Sequence, residues 1–196
     1  RRLVKMSNAD AIMKEINSEV DTFYNLSEGH IEYINHLFSE MAGQMIPPPT
    51  VFELLGVDPK SFAGKVPIAT KEQFVNAIHK SIDDSDTVDQ YKKVFNNQTT
   101  RLSHAKKVLG EIKDTVNSFH SKVGGDLAKI EGLFCSMAPE PNTGKPMPPG
   151  MVNALLRVSP EAKTCSAEEL LACFERNLDP SDTSEELIKK INQFQP

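Results

Sequence analysis

The side chains best able to bind a metal or act as bases and nucleophiles are five histidines and three cysteines. His30, His36, His79, His104 and His120 show neither HxxxH nor HExxH spacing, the arrangements that aim two imidazoles from one helical face at a zinc ion. Cys135, Cys165 and Cys173 form no CxxC pair, so neither a zinc site nor a redox motif is expected. No Ser or Cys stands in a nucleophile elbow. PNTGKP comes nearest to a phosphate loop through Gly144-Lys145. A Walker loop, however, needs Gly five residues earlier and Ser or Thr after the lysine, and this chain has Pro139 and Pro146 there. The adjacent carboxylates Asp83-Asp84 and Glu168-Glu169 read as helix caps and solvated faces. No catalytic residue, metal ligand or cofactor is assigned, and a non-enzymatic protein is expected.

Two features keep some chemistry open. Cys135 and Cys165 flank a proline-rich segment, and a disulfide between them would close it if the chain doubles back. Pro146 and Pro149 form a PxxP that a polyproline-binding domain could dock, or that could act as a stiff linker. Lys92-Lys93 and Lys106-Lys107 suit a solvated face. Met6, Met13, Met41, Met45, Met137, Met147 and Met151 cluster near helix ends, where they fill irregular gaps or line an adaptable groove.

Composition narrows the classes. A chain of 196 residues can bury a core unaided, and its formal charge of −5 disfavours a general nucleic-acid or anionic-membrane binder. No apolar run is long enough to span a bilayer. The opening RRLVKMSNAD has no apolar run behind its arginines and is not read as a signal peptide. It lacks an initiating Met, which leaves room for a longer precursor. Cytoplasmic and extracellular locations are not distinguished.

The elements that must position these residues are helical nearly throughout, since alternating strand patterns and Asn-Gly or Asp-Gly hairpin turns are missing. Tyr91, Phe95, the polar Gln98, Leu102, Ala105, Leu109, Ile112, Val116, Phe119 and Val123 recur at steps of three and four, and Leu127, Ile130, Phe134 and Met137 continue the seam after a stutter at Gly124-Gly125. This predicts one helix over about 87–137, about 75 Å long at 1.5 Å per residue, with a bend at the glycines. Two helices broken there are the alternative. A second seam, from Ala9 through Met45, predicts a partner helix over about 7–46, with helix propensity falling at 25–29, where a kink fits. Its acidic character suits pairing with the mildly basic long helix. Between the two, Thr50 with Glu53 and Thr70 with Gln73 resemble capping boxes, as do Ser7 with Asp10 and, later, Ser166 with Glu169. Three shorter helices over 149–158, 166–178 and 183–194 close the chain. No internal repeat or low-complexity segment is read.

The expected architecture is therefore all-α, an elongated bundle built on two long antiparallel helices. A long-helix bundle would occupy 1–138, and a small helical subdomain 139–196. The expected function is a protein-interaction or scaffold module with a protein partner. Nucleic acid is excluded, direct membrane binding is not expected, and the seam could be satisfied within a monomer or in a homodimer. The second reading is an extracellular or surface-exposed all-α antigen or secreted protein closed by the disulfide.

Overall fold

The computed structural model describes residues 7–62 and 65–196, so Met6 lies outside them. Among the described residues the fold is all-helical, without strands. The helices are α1 (Asn8–Ser27), α2 (Ile31–Ala42), α3 (Pro48–Leu55), α4 (Lys71–Ser81), α5 (Val88–Val123), α6 (Leu127–Met137), α7 (Met151–Leu156), α8 (Ala167–Asn177) and α9 (Ser184–Gln193), with a 3-10 turn at Pro59–Phe62.

Local chemistry sets most of these limits. Thr70 and Ser166 make the expected reciprocal capping boxes with Gln73 and Glu169. The Ser7 side chain accepts the Asp10 N–H. Thr50 does not cap. The helix there begins at Pro48 with Pro47 as N-cap, because proline suits a first turn whose N–H groups have no helical partner.

Both expected long helices are interrupted. The 87–137 span stops at Val123, since Gly124 and Gly125 have φ of +62° and +71°, and it resumes at Leu127 behind the Asp126 cap. The 7–46 span breaks in the same way at Glu28 and Gly29, with φ of +56° and +73°. The left-handed conformation ends a helix, and glycine adopts it without a Cβ penalty.

The apolar side chains form two separate cores. Ile12, Ile16, Phe23, Ile34, Phe38, Phe74 and Ile78 belong to the first, joined by Tyr91, Phe95 and Leu102 of α5. Ala105, Ile112, Val116 and Phe119 of α5 belong to the second, with Ile130, Leu133, Leu156, Leu170, Phe174 and Leu187. The seam is thus covered within the chain, but the amino-terminal arm covers only its beginning, and helices α6–α9 cover the rest. The contacts divide the chain into two compact units at Ser103/His104, not after Ala138.

The two units are copies of one motif, a repeat the sequence reading missed. Shifting by 96 positions superimposes α1 on the second part of α5, α2 on α6, α4 on α8, and the start of α5 on α9. Ile16, Val20, Phe23, Gly29, Ile34, Leu37, Phe38 and Met41 meet the identical residues Ile112, Val116, Phe119, Gly125, Ile130, Leu133, Phe134 and Met137. The shift becomes 101 at α3 and α7, pairing Val51 with Val152 and Leu55 with Leu156, then returns to 96. The loop before the third helix is longer in the second copy, and the loop after it is correspondingly shorter.

Hydrogen bonds repeat with the residues. In the first unit Ile31 N–H donates to Pro67 O, and Ala69 N–H to Gly29 O, at 3.1 and 2.9 Å. In the second, Leu127 N–H donates to Lys163 O and Cys165 N–H to Gly125 O, both at 3.0 Å. Tyr24 Oη donates to Ala69 O at 2.8 Å, and His120 Nε2 to Cys165 O at 2.7 Å. Even a polar contact recurs with acidic and basic residue types exchanged: Asp10 meets His79 at 2.7 Å, and the corresponding Lys106 meets Glu175 at 3.5 Å.

Candidate functional site

The repeated motif contains a polar corner between its fourth and fifth helices. The strings Asp83-Asp84-Ser85-Asp86-Thr87 and Asp179-Pro180-Ser181-Asp182-Thr183 fold alike. Asp86 Oδ2 accepts the Asp83 N–H at 2.8 Å, and Asp182 Oδ2 the Asp179 N–H at 2.9 Å. Asp83 Oδ1 and Asp179 Oδ1 each accept a serine N–H at 2.8 Å. Thr87 and Thr183 then cap the following helices. The first helix of each copy ties down the corner: Asn8 Nδ2 donates to Asp83 O, and His104 Nε2 to Asp182 O, both at 2.8 Å. The Ser85 side-chain and backbone bonds hold the Asp83 carboxyl below the usual carboxylate range.

The copies differ in what lies beside the corner. In the first, Tyr91 is buried, and its hydroxyl donates to Asp86 Oδ2 at 3.1 Å while lying 3.5 Å from Ser81 O. Burial, then the Asp86 bond and charge, raise the Tyr91 phenol well above its ordinary pKa, keeping it a neutral donor. In the second copy the corresponding residue is Leu187, which lacks the ring and the hydroxyl. A cavity of about 350 Å³ opens in that unit, lined by Phe134, Met137, Leu155, Cys173, Phe174, Leu178 and Leu187, with Asn177, Asp179, Asp182 and Lys190 among its polar residues. Phe38 is buried in the first copy, whereas its counterpart Phe134 is only half-buried.

The residues singled out from sequence do not converge. No disulfide joins the three cysteines, so the Cys135–Cys165 bridge is not a feature of this structure. Cys135 is half-buried on α6, and Cys165 is buried in the loop after α7. Burial first, then the charges of Glu169 and Cys173, push the Cys165 thiol up to about 11. Of the three, it is Cys173 that lines the cavity, together with α6 and α9 residues. Pro146 and Pro149 are exposed in the loop before α7. That loop is braced by Asn142 N–H to Pro139 O at 2.9 Å, Gly144 N–H to Cys135 O at 2.8 Å and Lys145 N–H to Asn142 O at 3.0 Å.

The histidines serve the fold. His30 precedes α2 in the bridge with Ile68, His79 pairs with Asp10, and His104 and His120 bond backbone carbonyls. Burial, with the Arg101 charge, lowers the His36 pKa despite Glu32. Among the described residues no group of three His, Cys, Asp or Glu is placed to hold a metal ion, and no helix is long and apolar enough to cross a membrane. The cavity and its corner were invisible to motif reading. The signal available was the repeated Asp-x-Ser-Asp-Thr string with Tyr in one copy and Leu in the other, four residues on. The chain matches no protein-family model, curated protein or solved structure in the comparisons made.

Proposed function

We propose that this chain is a non-enzymatic protein-interaction or scaffold module that uses two copies of one helical unit to present loops to a protein partner. The observation that carries this reading is the contrast between the copies. The apolar pairs Ile16 and Ile112, Val20 and Val116, Phe23 and Phe119, Ile34 and Ile130, and Leu37 and Leu133 are unchanged, whereas the loop before the third helix changes in length and composition. A constant frame beneath variable loops is how rigid scaffolds display recognition surfaces. The longer loop favours docking further, because its exposed prolines and backbone bonds leave little conformational entropy to lose on binding. Pro146 and Pro149 supply the pair that a polyproline-reading groove takes.

Titration of a panel of SH3 and WW domains into the isotope-labelled chain, followed by amide NMR, tests the proposal. The expected result is saturable shifts between Asn142 and Met151 with at least one domain. The double substitution Pro146→Ala, Pro149→Ala removes them while the helical circular dichroism is unchanged. A silent panel, or binding indifferent to the double substitution, counts against this surface.

A further inference from the structure

The repeat supplies an internal template for the cavity. Three groups surround the Tyr91 hydroxyl site in the first unit: the tyrosine itself, Asp86 Oδ2 and the backbone at Ser81. Their counterparts at a shift of 96 are Leu187, Asp182 and Asn177, and all three line the cavity of the second unit. Asp182 is held in the same pose as Asp86, by the same bond from the backbone N–H of the aspartate that opens its string. An acceptor is therefore fixed at the polar end of an apolar hollow, and the chain's own aromatic donor is missing.

We propose that this cavity binds a small phenol carrying an alkyl group para to its hydroxyl, with the hydroxyl beside Asp182 as the Tyr91 hydroxyl is beside Asp86 in the first unit and the ring entering from the cavity side of Leu187. The hydroxyl donates to Asp182 Oδ2. The ring lies against Leu178, Leu187 and Phe174, and the para substituent extends toward Phe134 and Met137. A cavity of about 350 Å³ exceeds one phenol ring, so it takes a substituted ring with room for the alkyl arm. The ligand's hydroxyl stays protonated for the reason Tyr91 does: an adjacent carboxylate and an apolar surround disfavour the phenolate. This assignment is independent of the loop-docking surface, since no ring or hydroxyl contact uses Pro146 or Pro149.

Amide NMR titrations of the full chain with p-cresol and with toluene test it. The expected result is saturable p-cresol shifts at Cys173, Leu178 and Leu187, with toluene weaker by roughly three- to tenfold for want of the hydrogen bond. Leu187→Tyr, which restores the first unit's residue, abolishes p-cresol binding while leaving the chain folded. Absence of p-cresol shifts at these residues overturns the proposal whether or not the variant folds. Equal affinity for toluene overturns the phenol recognition, and undiminished binding to a folded Leu187→Tyr chain overturns the seat.

Discussion

At the scale of single residues, burial separates three thiols that look alike in the sequence. The thiolate is the nucleophile, and a folded-state pKa raised to about 11 keeps Cys165 protonated across the neutral range. Cys173 is 2% exposed, whereas Cys135 is half-buried. Iodoacetamide at about pH 7.5 is therefore expected to modify Cys135 first in the folded chain, with Cys165 and Cys173 protected by burial. In denaturant without reductant, all three thiols take the label. Intact-mass spectrometry with peptide mapping reads both results. Labelling of Cys165 before Cys135 contradicts the burial order, and fewer than three labels in denaturant contradicts the absence of a disulfide. Because the Cys165 pKa is raised, its protection in the folded chain holds through neutral pH and weakens as pH climbs toward about 11. Motif spacing was enough to set a CxxC site aside. It could not decide the Cys135–Cys165 pairing, which depends on where the loop before α7 returns.

At the scale of elements, the glycines that end helices carry different loads. A Cβ on Gly125 would lie 2.5 Å from Cys165 O and 2.8 Å from His120 Nε2, whereas one on Gly124 would meet nothing within 4 Å. Gly29 repeats the crowding, with Ala69 O at 2.5 Å and Tyr24 Oη at 2.9 Å. Alanine at Gly124 has only the left-handed backbone penalty, about 1 kcal/mol. At Gly125 the same penalty joins a clash with backbone that cannot swing aside, and the expected loss is about 3 kcal/mol or more. Urea unfolding of the two single variants distinguishes them, and equal losses would mean that the bridge to Cys165 yields freely. The sequence expressed the caps well because Thr70 with Gln73 and Ser166 with Glu169 act over one turn. It marked the breaks only as a stutter and a kink, because Phe119, Val123, Leu127 and Ile130 all enter the same core, so the apolar rhythm runs in phase through a corner. Thr50 with Glu53 matched a cap pattern, but the preceding prolines start that helix earlier.

At the scale of the whole molecule, the all-α class was legible from periodicity, and the duplication was not. Compensating changes in the two loops around the third helix hide the constant shift. Many identities that remain are apolar residues that any amphipathic helix would place there, other polar identities such as Glu15 with Glu111 and Asn96 with Asn192 stand alone, and Asp-x-Ser-Asp-Thr is the one shared polar string. The duplication has a thermodynamic consequence. The buried members of the two cores are distinct sets, with α5 supplying Tyr91, Phe95 and Leu102 to one and Ala105 onward to the other. Ile34 and Ile130 are counterparts, and both are fully buried. Truncating either to alanine removes about 2–5 kcal/mol from the core that holds it. Separate cores permit partial opening, so the loss need not spread through the chain. Native-state hydrogen exchange is expected to show Ile130→Ala speeding the amides of α6 and α8 while those of α2 and α4 keep their protection, and Ile34→Ala doing the reverse. Within α5, the amides near Phe95 would follow the first pattern and those near Val116 the second, giving one continuous helix two opening free energies. Equal acceleration of all these helices by either substitution would mean that the copies unfold as one block, and that the repeat is a feature of ancestry and packing without energetic independence.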